Sequence, residues 1–571
     1  MTHETVSDNI HKRNKIVIVG GVAVGAGAAA KIRRMDESAE IVVIERGPHV
    51  SFANCGLPYY LGDVISKREA LLLHTPSSLR ARFELDVRTR QEVVAIDREN
   101  KMVKISKLRD GSNYEESYDK LVLAMGAQPI MPRLPGIQLP GIFQLRTIPD
   151  VDDMKAWIAS RGVHHVAVVG AGFIGIETVE NLTALGLRVT LIEKAPQVLP
   201  PFDEEMTAHV RQDLKRLHVN TVLGDGISEF RGTDRATEVV LESGRLIRAD
   251  MFILGLGVRP NSGLAKEAGL ELGTAGTVKV NEYLQTSDPD IYAAGDVAEV
   301  AHLVNGSPRF LPLAGAANKQ ARIIGENICG ARVKFEGTLG TAIVKLGETT
   351  LAMTGLTEKA AKAGGISYAV SYNTAGHHAG YYPGAADLTV KLLVEPLTEL
   401  VLGAQISGKQ GVDKRIDVLA TAIAGRLTLD EVAGLDLAYA PSFSSAKDPV
   451  IMAAMVAQHV VRGEVHTVRT MEDIRRLGAL ILDVRSEQEA AKNALPGAVN
   501  IPLDQLRERA DELDKNITWV VYCRSGQRSY FAYQILSGLG FNSVYNLDGG
   551  MIVQGMLQEV EDFDKIGSAV S

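Results

Sequence analysis

Two of the three cysteines in this 571-residue chain sit where sulfur chemistry is favoured. Cys55 lies in the run Ser51-Phe52-Ala53-Asn54-Cys55-Gly56-Leu57-Pro58-Tyr59-Tyr60, with no second cysteine nearby. A lone redox sulfur cannot close an internal disulfide, so it stores oxidising equivalents as a sulfenic acid, a persulfide or a mixed disulfide with a small thiol. Cys523 opens the loop Cys523-Arg524-Ser525-Gly526-Gln527-Arg528-Ser529, directly before a helix-like stretch from Tyr530 to Leu539. A cysteine between two arginines, in a loop whose N–H groups point inward at a helix N-terminus, has its thiolate favoured and can carry a persulfide anion. Cys329 precedes Gly330, a helix-ending glycine, and reads as structural.

Two segments with the scheme strand, glycine turn, helix, strand and terminal acid must position this chemistry. The second runs from His165 through Gly170, Gly172 and Gly175 to Glu193 and fits the dinucleotide fingerprint in full: tight turn, close approach of backbone to pyrophosphate, helix packed on strand. Glu193 suits a ribose 2′-hydroxyl and repels a 2′-phosphate, so NADH is expected over NADPH. The first runs from Lys15 to Glu45 and keeps Gly20 and Gly25, but Val22 takes the middle glycine's place. Gly295-Asp296, after a short apolar strand, suits the ribityl chain of a flavin, and Gly126 and Gly257 likewise end apolar strands. Residues 336–450 alternate strand-like runs with one amphipathic helix, an α+β pattern, and 466–571 has βα alternation of its own.

The bulk properties exclude other classes. With 61 basic against 69 acidic side chains the net charge is −8, which does not favour nucleic acid. The uncharged apolar stretch from Ile16 to Ala30 is too short for a membrane helix, and Met1 to Asn14 has no signal-peptide core. Three sparse cysteines form no disulfide framework and suit a reducing compartment. A cytoplasmic protein is expected, with no membrane or nucleic-acid partner and no metal site.

Strand-GGxxxG, SFxxCGLPY, AMGAQP, GxGxxGxE, LGVRPN and YAAGD, in this order over residues 15–450, resemble the pyridine nucleotide-disulfide oxidoreductase superfamily. The single-cysteine SFANCGLPYY is similar to its coenzyme A-disulfide reductase and NADH oxidase/peroxidase branch. The resemblance implies an α/β protein with Rossmann-like FAD (1–126 and 255–335) and NAD(P)H (127–254) domains, an α+β dimerisation domain (336–450) and a homodimer. It implies FAD on Gly20, Gly25, Glu45, Asn54, Gly126, Gly295 and Asp296, and NAD on Gly170, Gly172, Gly175, Glu193 and Gly257. Coenzyme A would lie along Lys31, Arg34, Ser51 and Asn54, although Lys31, Arg33 and Arg34 also read as a solvated basic helix end. Tyr381 and Tyr439, with Phe443 where relatives often have tyrosine, would reach the active sulfur of the partner subunit. Alternatively, these tyrosines are surface or core residues.

After a helix-like stretch from Pro449 to Arg462 that overlaps an expected 451–465 linker, residues 466–571 resemble a C-terminal α/β rhodanese domain, down to Leu482-Asp483-Val484-Arg485, Leu495-Pro496-Gly497 and Leu547-Asp548-Gly549-Gly550. Its loop is Cys523, Arg524, Ser525, Gly526, Gln527 and Arg528; arginine five positions on, rather than six, gives a smaller ring that suits sulfur transfer over phosphate. Asn493 stands where many relatives have glycine or histidine. The whole chain thus resembles a coenzyme A-disulfide reductase fused to a rhodanese, implying NADH-dependent reduction of coenzyme A persulfide or polysulfide at Cys55, with Cys523 accepting or relaying sulfur. Peroxide-reducing members carry a histidine in the first glycine loop; Gly21-Val22-Ala23-Val24-Gly25 has none, which disfavours an NADH oxidase. A coenzyme A-disulfide reductase with an independent sulfurtransferase, and a persulfide carrier, stay open as alternatives.

Overall fold

The computed structural model describes residues 14–273 and 275–569; residues 1–13, on which the signal-peptide expectation rests, lie outside the described residues. It divides into two compact units. The first holds the chain up to Pro132, Phe143–Gly162 and Gly255–Thr338, and the second Arg133–Ile142, Val163–Leu254 and the chain from Leu339.

The first unit begins with β1 (Lys15–Val19), α1 (Ala23–Met35), β2 (Glu40–Glu45), β3 (Asp86–Thr89) and β4 (Lys120–Leu123). The chain then forms β5 (His165–Val169), α2 (Phe173–Ala184), β6 (Arg188–Ile192), β7 (Asn220–Val222) and β8 (Met251–Leu254) of the second unit. It returns to the first with β9 (Ile291–Ala293) and α3 (Ala314–Ile328). The first sheet is parallel, in the order β9-β4-β1-β2-β3, and the second places β7, β6, β5 and β8 side by side in the same doubly wound scheme. A parallel sheet covered on both faces needs continuous β-branched runs. In β1, Ile16 and Ile18 join one core with Ala28 and Ile32 of α1 and Ile324 of α3. Val17 and Val19 point into the opposite core with Val103 and Ile105. Each such side chain contributes about 1.5–3 kcal/mol by leaving water.

The rest of the second unit carries β10 (Ala342–Leu346), β11 (Thr349–Gly355), β12 (Ala369–Gly376), β13 (Asp387–Val394) and β14 (Val401–Gly408). They form an antiparallel sheet in the order β10-β11-β14-β13-β12. α4 (Val412–Ala424) and α5 (Pro449–Val461) follow. The rhodanese-like region consists of β15 (Thr467–Val468), β16 (Leu480–Asp483), α6 (Glu487–Asn493), β17 (Val499–Asn500), β18 (Trp519–Tyr522), α7 (Gln527–Gly538), β19 (Val544–Leu547) and α8 (Gly550–Ala569). Its sheet is parallel, in the order β15-β19-β18-β16-β17.

Two boundaries differ from expectation. Ala127–Pro129 pairs antiparallel with Val258–Pro260, so the chain stays in the first unit beyond residue 126. Most of the expected 451–465 linker is helix α5, which buries Val450, Ala453, Ala454 and Ala457 at helical spacing and packs on β12 and β13. Pro449 sits in its first turn and Asp448 caps it, accepting from the Val450 N–H at 3.0 Å.

A buried charge centre ties the rhodanese-like region to the antiparallel sheet. The fully buried ammonium of Lys391 on β13 lies 2.8 Å from Asp203, 2.5 Å from Glu205 and 2.9 Å from Glu358. Arg469 makes two 2.9 Å bonds to Glu358, whose carboxyl is held down to about 2 by Arg469 and Lys391 against the opposing effect of burial. Asp548, at the end of β19, accepts from the Tyr372 N–H at 3.3 Å, while its second oxygen is buried without a partner. Burial pushes its carboxyl up to about 7. Among the described residues no helix is long and apolar enough to cross a membrane.

Candidate functional site

Within the first unit a cavity of about 1010 Å³ is lined by Gly20, Glu45, Ser51, Asn54, Cys55, Gly126, Gly295 and Asp296, among others. It lies where β1, β2 and β4 end, at the point where the strand order reverses, the place such sheets bind ligands. The turn after β1 explains two glycines: Gly20 has φ +99°, and a Cβ on Gly25 would lie 1.7 Å from the Gly20 carbonyl oxygen. Gly25 therefore acts through close packing below the cavity. No side chain caps α1, so its first N–H groups are left for a ligand. Glu45 accepts from the N–H groups of Gly21 at 2.8 Å and Gly47 at 2.6 Å, which aims the carboxylate at this turn.

Cys55 is exposed on the one-turn helix Asn54–Gly56, leading into a short helix with Pro58 in its first turn. Ser51 holds this segment against the glycine turn through its N–H to the Gly21 carbonyl at 2.9 Å, with φ +44°, a left-handed value for a non-glycine. Sequence reasoning missed Arg146, which lines the same cavity and pairs with Asp296 at 3.3 Å, and also His49. Neither carries a motif. The His49 ring sits 3.2 Å from Arg68, and burial followed by that cation lowers its pKa.

Of the residues expected on the coenzyme A path, Ser51 and Asn54 line the cavity. Lys31 is paired with Glu326 of α3 at 3.0 Å, Arg33 is buried and bonded to the Phe83 and Glu37 carbonyls, and Arg34 is exposed. Cys329 packs beside the first core cluster, where burial raises its thiol pKa, in keeping with a structural role.

In the second unit the turn after β5 repeats the first: a Cβ on Gly175 would lie 1.9 Å from the Gly170 oxygen, whereas one on Gly172 would meet nothing within 4 Å. Glu193 accepts from Ala171 N–H at 2.7 Å and Ala195 N–H at 2.8 Å, as Glu45 does in its own turn. Lys194 beside it is paired with Glu242 at 2.7 Å. Gly257 belongs to the first unit, where its carbonyl accepts from Ile130 N–H at 3.0 Å. Tyr381, in the β12–β13 connection, and Tyr439 are exposed with their hydroxyls 3.2 Å apart, a bond that raises the Tyr381 pKa. Phe443 is exposed as well.

Cys523 directly follows β18 and is 1% exposed. Its Sγ accepts from Gly526 N–H at 3.2 Å and from the Ser529 hydroxyl at 3.5 Å. The N–H groups of Met551 and Ile552, opening α8, bind the carbonyls of Cys523 and Arg524, both at 3.0 Å. The loop is thus held from both ends by helix N-termini. Asn493 lies away from the sulfur's own donors, its side-chain and backbone oxygens accepting from Arg485 at 3.0 and 2.9 Å.

Residues 14–321 match the pyridine nucleotide-disulphide oxidoreductase family. The chain belongs to that family. Residues 341–450 match its dimerisation domain and 467–552 the rhodanese-like domain. Curated relatives include a coenzyme A disulfide reductase of Staphylococcus aureus, 36% identical over 78% of this chain and all of its own length. Another is an NADH oxidase of Methanocaldococcus jannaschii, 35% identical over 77% of this chain and 98% of its own. Among solved structures, reduced Bacillus anthracis CoADR-RHD superposes with a TM-score of 0.93 at 44% identity, over 96% of this chain and 99% of that one. A NAD-dependent persulfide reductase from A. fulgidus superposes with a TM-score of 0.89 at 39% identity, over 94% and 99%.

As a pyridine nucleotide-disulphide oxidoreductase with a rhodanese domain, the protein takes FAD and NAD(P)H by family. The first-unit cavity fits FAD: its glycine turn admits no Cβ at Gly25, its helix N-terminus is uncapped, and Glu45 and Asp296 offer carboxylates to hydroxyl groups.

Proposed function

We propose that this oxidoreductase uses NADH to reduce coenzyme A persulfide and polysulfide to thiol and sulfide at Cys55, with Cys523 accepting or relaying sulfane sulfur. The observation that carries this reading is the exposed Cys55 thiol opening on the same cavity as Glu45, Gly126 and Asp296, with no second cysteine lining it. FAD held there supplies the passage of two electrons from NADH to sulfur.

Cys55 forms a bond to the substrate's sulfane sulfur as the substrate's S–S bond breaks and the departing thiolate takes a proton; the two electrons then cleave the S–S bond at Cys55, releasing sulfide and restoring the Cys55 thiolate. The Tyr381–Tyr439 hydroxyl pair of the partner subunit in a homodimer is the donor. Ser51 and Asn54 line the approach, and coenzyme A phosphates would meet Arg34 rather than Lys31, whose charge Glu326 takes. Glu193 favours NADH, and its neighbour Lys194, held by Glu242, is poorly placed to rescue NADPH. His49 does not restore peroxide chemistry, because Arg68 and burial disfavour the protonated ring a general acid needs.

NADH consumption measured side by side with coenzyme A persulfide, coenzyme A disulfide, polysulfide and oxygen tests the proposal. The persulfide should give the highest kcat/KM and oxygen the lowest. A clear preference for the disulfide would instead favour a disulfide reductase with an independent sulfurtransferase.

A further inference from the structure

Both arginines of the Cys523 loop are already engaged by carboxylates of this chain. Arg528 makes two 2.7 Å bonds to Glu489 of α6, one from each terminal nitrogen, while also facing the Cys523 sulfur. That pairing holds the Glu489 carboxyl down to about 2, so it stays charged at any working pH. Arg524 is hydrogen-bonded to Asp387, at the start of β13 in the antiparallel sheet. Arg485, just after β16, is bound to Asp483 at 2.7 Å. Cys523 itself is met by the Gly526 N–H and the Ser529 hydroxyl, neutral donors that suffice for a single charge on sulfur.

We infer that Asp387 and Glu489 are specificity-determining residues, which neutralise Arg524 and Arg528 and so turn the Cys523 loop away from dianionic sulfur donors such as thiosulfate and toward persulfides. A persulfide presents at most one charge at the sulfur to be transferred, and the phosphates of a large carrier lie far from it. Thiosulfate brings two charges to the loop itself and needs uncompensated cations to enter. In each case the Cys523 thiolate bonds to the donor's sulfane sulfur and the donor's S–S bond breaks. Its electron pair leaves on sulfite in one case and on a thiolate in the other, and the enzyme holds Cys523–S–S⁻. Cyanide then takes the outer sulfur as thiocyanate and regenerates the thiolate.

The inference rests on the reading of Cys523 as a sulfur acceptor, and one experiment separates the two. Thiocyanate formation by the full-length holoenzyme is measured with thiosulfate and with 2-mercaptoethanol persulfide, for the wild type, Asp387→Asn, Glu489→Gln and Cys523→Ser. The ratio of kcat/KM for thiosulfate to that for the persulfide should rise on the order of tenfold in each carboxylate variant. The thiosulfate rate of the variants should also fall more steeply with added salt than that of the wild type. Asp387→Asn leaves α6 and the Arg528 side of the loop untouched, so it guards against a disturbed loop in Glu489→Gln. A ratio unchanged or lowered in both variants, while the persulfide still loads Cys523, overturns the inference alone. Transfer from neither donor in any form, or transfer undiminished in Cys523→Ser, overturns the acceptor reading and the inference together.

Discussion

At Cys55, exchanging sulfur for oxygen separates two properties of one cavity. The proposed flavin site is built on the glycine turn, Glu45 and Asp296, so Cys55→Ser should retain bound flavin that NADH bleaches. The same variant should release no sulfide above background; undiminished release would remove Cys55 from the mechanism. Glu193 should set the nucleotide preference, with kcat/KM for NADH exceeding that for NADPH on the order of tenfold and Glu193→Gln closing most of the gap. Equal use of both by the wild type would point to a cation other than Lys194. Glu45 and Glu193 were legible because strand ends fix their spacing from the glycine turns. The partner of Lys31 was hidden for the opposite reason: its ion pair is with Glu326, on a helix remote in sequence. Arg146 opposite Asp296, and Glu489 opposite Arg528, were invisible on the same ground, since ion pairs distant along the chain leave no periodic trace.

Among the elements, the strand–turn–helix units, the antiparallel sheet and the rhodanese βα alternation were all readable, because their apolar runs have the period or continuity their burial demands. α5 was visible as a helical pattern, but its packing was not: five buried positions say that a helix has a partner without saying which. A sharp test at this scale is Gly25→Ala. The added Cβ, 1.7 Å from the Gly20 oxygen, must push α1 away from β1, at a cost of more than about 3 kcal/mol. The variant should purify with little FAD and a lowered Tm. Flavin content and melting temperature equal to wild type would show that the turn is more compliant than the packing indicates.

In the molecule as a whole, the charge centre around Lys391 makes stability depend on pH in two opposing ways. Glu358, held at about 2, contributes stability present above its unfolded value near 4.5 and lost as pH falls towards 2. Asp548, raised to about 7 chiefly by burial, has the opposite sign: between about 4 and 7 the folded state holds a proton the unfolded chain has released. Stability from this group therefore falls as pH rises through that window, by at most about 1.4 kcal/mol per pH unit. Arg469 and Lys391 face Asp548 and limit the effect. Asp548→Asn should flatten the decline of Tm between pH 5 and 7, and an unaltered profile would show that the carboxyl is ionised in the folded protein.

The strand order of the first sheet also dictates a sequence of events. β4 ends at Leu123, and the strand that must lie beside it, β9, starts only at Ile291, after the whole of the β5–β8 layer has been made. While a ribosome is still producing that intervening stretch, the β4 edge stands open, with its N–H and C=O groups ready to pair with any strand at hand. The later sheet, whose strands lie closer together along the chain, has the shorter loops to close and can organise first. Nascent protein should therefore be most prone to mispairing between the synthesis of β4 and that of β9, a hazard that belongs to the chain's birth and vanishes from the finished enzyme.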